Sequence, residues 1–428
     1  MSLKLSLPLV VLIWLNIVVV FGQTITIDEC QQKATANYPA IAQYDIIEKT
    51  KNFNIENANK YYLPQGTLSA QASWQSDVTK INLDLPQSFP PLDIPVPSQD
   101  QYKVVAELNQ LIWDGGKISA QKKSLNAYAD LEKKQLDSEI YKLKERVNNL
   151  YFGVLLMQEQ LIQQDILEKE LQRNYNNVQS YVQNGVANEA DLSVVKVEQL
   201  KVGQQRIQLE SSLQAYIQML SVLIGEQLDA HTMFVKPKTD FQSTSPVIKR
   251  PELHFFSAQE NALESQRLQL NAKNRPVIGA FAQGGYGKPG LNMFENEFSP
   301  YFVGGVRVSW NFGNLYTLKN DKRKIDIQKL AVDVQRDTFL HNLNMQIPQQ
   351  QIEIEKFRKM MKDDNEIIRL RTIIREAAEI KVENGTMTVS DLMKEINAEE
   401  GAKQAKTLHE IQYLMSIYSL EYTTNSEK

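Results

Sequence analysis

From residue 136 onward, apolar side chains return every three or four positions. Leu136, Ile140, Leu143, Val147, Leu150, Val154, Met157 and Leu161 mark the first run. No proline interrupts residues 115 to 181, so the pattern predicts one helix on the order of 100 Å long, whose seam requires partner helices. Leu209, Leu213, Tyr216, Leu220 and Leu223 resume the step, as do Leu343, Ile347, Ile354, Phe357 and Met361, and then Leu408, Ile411, Met415 and Tyr418. This later seam is rougher. Gln350 and Asp364 fall at core-register positions, and Pro348 lies inside the helix and predicts a kink.

Four other stretches alternate instead, and the expected strands cover about 64–75, 101–113, 276–286 and 300–312. In the first, Leu68, Ala70, Ala72 and Trp74 share one face and Thr67, Ser69, Gln71 and Ser73 the other. Tyr102, Val104, Ala106 and Leu108 oppose Lys103, Val105 and Glu107 in the second. The third, 277–286, alternates less cleanly, whereas the fourth sets Phe302, Val306, Val308, Trp310 and Phe312 against Arg307, Ser309 and Asn311. Each is near the length of a tilted strand that crosses an outer membrane.

The chain is written twice. "VQNGVANEADL" (182–192) returns as "VENGTMTVSDL" (382–392), which pairs Gly185 with Gly385 and Asp191 with Asp391. Pro39 and Pro64 match Pro251 and Pro276, each pair 25 residues apart. The first copy has about a dozen extra residues in 76–100, where five prolines between 86 and 97 predict an extended, exposed loop. Gly285, Gly287 and Gly290 spell GxGxxG, but Pro289 and a polar stretch follow, so the reading there is a turn and not a dinucleotide fingerprint. The repeated eleven-residue stretch reads as a helix reversal. Gly185 and Gly385 end the long helices in the left-handed conformation, Asn188 and Thr388 are N-caps, Asp191 and Asp391 complete capping boxes, and Met387 and Leu392 form a staple.

Residues 1–22, with Lys4, an apolar run from Leu7 to Phe21 and a small residue at the end, read as a cleaved secretory signal; an uncleaved anchor would need a longer run without Pro8 and Asn16. Its removal takes the net charge from 47 − 51 = −4 to 46 − 51 = −5, without a basic block for nucleic acid. One cysteine, Cys30, allows no internal disulfide. Domains are then expected at 23–225 (first repeat), 226–249 (linker), 250–422 (second repeat) and 423–428 (tail). Four strands cannot span lipid with open edges, so they must close with strands from other copies. His231, His254, His341 and His409 show no metal-ligand spacing, and no nucleophile elbow or phosphate loop appears; no enzyme, metal or cofactor is expected. The alternative, a secreted coiled-coil tether or adhesin, accounts for the helices but not for the strands.

The signal, the proline-led strands, Gln110-x-x-Trp113-Asp114-Gly115-Gly116 before a long helix, and the reversals ending in Asp191-Leu192 and Asp391-Leu392 resemble the outer-membrane efflux protein (TolC-like) family over essentially the whole mature chain. The resemblance implies a mainly α protein with a membrane β-barrel: a homotrimer whose twelve strands form one barrel in outer-membrane lipid, on a helical barrel extending into the periplasm. The linker 226–249 and the C-terminal segment would belong to an equatorial region. It implies a passive exit duct served by a periplasmic adaptor and an inner-membrane pump. The adaptor would dock at the tips, Gly185 and Gly385 with Asn184 and Asn384, and Asp391, with Asp191 its counterpart, would be a candidate gate residue. Lys394 and Met387 stand where the family pattern has an aspartate and a basic residue, so the gate's salt-bridge pattern differs. The plainer reading of Asp391 is a helix cap.

Overall fold

Prolines and glycines punctuate the chain where its elements change. The computed structural model describes residues 24–81, 95–185, 187–230, 232–238 and 247–425. The expected signal peptide and most of the five-proline loop lie outside them. The elements run β1 (Thr24–Ile25), α1 (Ile27–Asn37), α2 (Ala42–Lys60), β2 (Gln65–Trp74), β3 (Asp100–Trp113), α3 (Lys117–Gln183), α4 (Glu189–Ile224), β4 (Met233–Phe234), α5 (Pro251–Lys273), β5 (Val277–Lys288), β6 (Ser299–Ser309), α6 (Asn314–Glu383) and α7 (Val389–Thr424). Two compact units emerge, the first drawn from Met1–Pro39, Lys142–Ile248 and Met345–Lys428, the second from Ala40–Tyr141 and Lys249–Asn344.

The second unit holds an antiparallel sheet in the order β2-β3-β5-β6. Directly paired residues share a face, so the register decides which side chains lie together. Leu68 pairs with Ala106, Ala106 with Gly284, and Gly284 with Phe302. The row two residues along is Ala70, Val104, Tyr286 and Pro300. The row between these two is Ser69, Val105, Gly285 and Tyr301, and the rows on either side of the pair are Thr67, Glu107, Gln283 and Val303, and Gln71, Lys103, Gly287 and Ser299. One face is therefore apolar across all four strands, and the other is largely polar. Leu68 (79% exposed) and Phe302 (72%) on the apolar face have no protein covering them. Among the described residues, β2 and β6 each pair with a single strand, so both edges of the sheet are open.

The irregular third strand has a physical cause. Its polar face carries Phe281, whose ring lies under the Arg307 guanidinium, 4.8 Å from the centroid. A Cβ at Gly287 would stand 2.7 Å from the Tyr102 carbonyl oxygen, so glycine is required by close backbone approach. Gly285 and Gly287 thus belong to β5, and only Gly290 lies in the loop beyond it, which corrects the reading of all three as a turn. No helix follows them. The fourth strand stops at Ser309, short of the expected 312, where the Trp310 indole N–H donates to the Asn274 carbonyl at 3.1 Å.

α3 is launched from Gly115 and Gly116, both at positive φ, with the Asp114 carboxylate accepting from the amides of Gly116 (2.8 Å) and Ile118 (2.6 Å). In the first unit it packs with α1, α4 and α7 around Cys30, Val147, Tyr151, Phe152, Leu220 and Ile411. Burial pushes the Cys30 thiol up to about 12, which leaves it inert. The stretch expected to be a linker or equatorial region contains β4, which pairs in parallel with β1. The Tyr151 hydroxyl lies 2.9 Å from the Ile25 carbonyl and 2.8 Å from that of Val235, and its single proton ties this two-residue ladder to α3. The expected tail at 423 is also corrected: α7 continues through Thr424, and Thr423 and Thr424 are buried.

Candidate docking tips and gate

The two reversals share a local design built from backbone needs. The last carbonyls of a helix lack partners, and a left-handed glycine folds the chain back so that following amides reach them. Gly185 has φ 73° and its amide donates to Val182 (3.1 Å). Gly385 has φ 67°, with its amide to Val382 (2.9 Å) and that of Thr386 to Lys381 (2.9 Å). A Cβ on either glycine would meet no atom within 4 Å, so what requires glycine is conformation and not space. Asn184 and Asn384 spend their side chains on the helices they end: each Nδ2 donates to the carbonyl four residues back, Ser180 or Ile380, at 2.8 Å.

The following helices begin differently. Asn188 and Asp191 make the full reciprocal box, each side chain accepting the other's amide at 3.1 Å. Thr388 accepts from the Asp391 amide at 3.1 Å, but the Asp391 carboxylate turns instead to the Thr388 hydroxyl (2.8 Å) and to Lys394 (2.8 Å). Lys394 and Thr388 hold that carboxyl below the usual carboxylate range. So Lys394 balances the charge of Asp391 within one turn of helix. Met387 and Leu392 join one apolar cluster with Val182, Val389 and Met393.

Above the tips lies a group of charges that periodicity does not reveal. Arg375 on α6 donates to Glu399 on α7 (2.8 Å) and to Glu379 (2.9 Å), and its Nε stands 3.5 Å from Glu170 on α3. Lys403 reaches Glu399 at 2.7 Å, and Arg173 reaches Glu379 at 3.4 Å. Burial would raise the Glu399 carboxyl, but bonds from Lys403, Arg375 and Thr372 outweigh it and hold the group low. Its neighbour Glu400 is also buried, with one carboxamide bond, from Gln404 at 3.2 Å, and among the described residues no base within ion-pair distance. Burial pushes its pKa up, the nearby Glu170 and Glu399 adding to the shift. The native state therefore binds this proton more tightly than the unfolded chain, so stability declines as pH rises from the unfolded value near ~4.3 through the raised native one. Glu400→Gln should remove that decline. In thermal melts between about pH 4.5 and 8 the variant is expected to gain on the wild type as pH rises; a constant difference would contradict this assignment.

In the rougher seam the polar residues are paired. The Asp364 carboxylate meets His409 Nδ1 at 2.9 Å, and Gln350 Nε2 donates to Ser419 and Thr423, both at 2.9 Å. His409 is thus half-buried against α6 and not a surface histidine. α6 continues through Pro348. Among the described residues, no group of three His, Cys, Asp or Glu side chains is placed to hold a metal, and no helix is long and apolar enough to cross a membrane.

Residues 31–226 match the family described as outer membrane efflux protein. The match runs from α1 to the end of α4, somewhat under half of the chain. Solved structures with the same fold include the outer membrane protein VceC of Vibrio cholerae, at 12% identity and a TM-score of 0.67 over 94% of this chain and 96% of that one. The Campylobacter jejuni CmeC outer membrane channel follows at 13% and 0.65, over 93% and 85%. The open state of the Neisseria gonorrhoeae MtrE outer membrane channel is similar at 12% and 0.65, over 94% and 89%. At such identities these likenesses speak for the fold alone. None of the curated proteins compared matches the chain. The mostly helical architecture with few strands is the one these outer membrane proteins share.

Proposed function

We propose that this protein is the outer-membrane exit duct of a tripartite export system, working as a homotrimer. The observation that carries the reading is the sheet: apolar on one face, largely polar on the other, open at both edges. Lipid cannot satisfy open edges, so three copies of four strands close into a twelve-stranded barrel with the apolar face to lipid and the polar face lining the pore. A second feature favours self-association. α6 leaves Met345, Ile352, Ile367 and Ile374 exposed, and α4 leaves Leu200 and Ile207, in heptad-like steps that suit helices of neighbouring copies.

Energy for transport comes from an inner-membrane pump reached through a periplasmic adaptor, which docks at the tips around Gly185, Asn184, Gly385 and Asn384. Asp391, with Asp191 as its counterpart, contributes to the periplasmic gate. Protein extracted in mild detergent is expected to run as a heat-modifiable trimer and to conduct ions in planar bilayers; a monomer without conductance would sink the duct and favour a tether or adhesin. Asp391→Ala separates gate from cap: raised single-channel conductance supports gating, whereas unchanged conductance with a lower melting temperature leaves the cap alone.

A further inference from the structure

From the sheet-side ends of α3 and α5 inward, the second unit contains a groove of about 700 Å³ walled by these helices and α6. Lys117, Lys273 and Lys324 line it together with Asp321, and Gln121 and Gln269 add carboxamides. Other lysines of this unit find carboxylates, such as Lys133 with Glu48 at 2.7 Å and Lys329 with Glu264 at 2.5 Å. Those of the groove do not: among the described residues none of its three ammoniums lies within ion-pair distance of a carboxylate, Asp321 included. The lining thus carries 3 − 1 = +2 in a chain whose formal charge is −4. The first amides of α3 are taken by Asp114, so the ammoniums, the carboxamides and the Tyr128 hydroxyl are the donors this site offers.

Its position narrows the ligand. Lys117 stands four residues after Trp113, the last residue of β3, and Lys273 four residues before Val277, the first of β5. Trp113 and Trp310, each a little under half exposed, flank the same strand ends, as aromatic side chains do at a membrane surface. Resting on the duct reading, this is the level of the phospholipid headgroups facing the periplasm. We propose that the groove holds the phosphate of an anionic phospholipid of that leaflet, the three ammoniums acting as point-charge donors to its oxygens. The lipid would thereby fasten α3, α5 and α6 together where the helices meet the membrane.

The test uses the full chain purified in an uncharged detergent, given phosphatidylglycerol, phosphatidylethanolamine or inorganic phosphate, with retained lipid read by native mass spectrometry and stabilisation by thermal melts. Wild type is expected to retain phosphatidylglycerol over phosphatidylethanolamine, and the triple variant Lys117→Gln/Lys273→Gln/Lys324→Gln to lose about tenfold or more of that retention. Lys273→Gln alone should lose part of it, which guards against a triple variant that folds poorly. Equal retention by wild type and Lys273→Gln and triple variants, or no preference between the two lipids, would overturn the proposal. Stabilisation by inorganic phosphate equal to that by phosphatidylglycerol would overturn the lipid as source and leave a soluble anion. Binding in detergent is scored separately from conductance, so the duct reading and this site can fail independently.

Discussion

Ala106→Arg is expected to abolish the folded, membrane-inserted protein. Ala106 sits near the middle of β3, opposite Leu68 on one side and Gly284 on the other, within the apolar face. An arginine at the midplane of a barrel's lipid face costs ~2–4 kcal/mol, and three copies bring the total to roughly 6–12 kcal/mol, comparable to the whole stability of an ordinary protein. Ser69→Arg, one row away on the polar face opposite Val105, should be tolerated within about 0.5 kcal/mol. Heat-modifiability of outer-membrane fractions reads both. If the two variants inserted equally well, the apolar face would not be facing lipid.

The second large effect is expected at the reversals. Gly385→Val forces a β-branched residue to φ 67°, at a conformational cost of at least ~1–2 kcal/mol, met three times in a trimer. Because a Cβ there meets nothing, the strain cannot be blamed on a clash, and the chain must relax by moving the tip. Export should fall sharply while the sheet still inserts. Gly385→Asn, which tolerates the left-handed region, should restore most of the activity. Full export by the valine variant at normal expression would remove Gly385 from the docking surface.

The reversals were legible because their signals are local: a glycine, an N-cap and an acid three residues on are read within eleven letters. The faces of the strands were legible for a similar reason, since alternation belongs to a single strand. Which rows join across the sheet was not, because register depends on partners more than a hundred residues away, as between Leu108 and Ala282. The β1–β4 ladder, two residues a side, has no period to detect. Arg375 and Glu399 escaped because charged residues on a helix read as solvent-facing until three helices converge on them. Gln350 and Asp364 were noticed only as defects of the seam. Their partners Ser419, Thr423 and His409 lie on another helix, which no periodicity of α6 names.

Those cross-helix pairs restrict how α7 can move along α6. A one-heptad slide of α7 along α6 would preserve apolar matching but carry His409 away from Asp364 and strand a buried carboxylate in an apolar setting, at a cost of several kcal/mol. Axial gliding is thus blocked like a bolt held by a cross-pin.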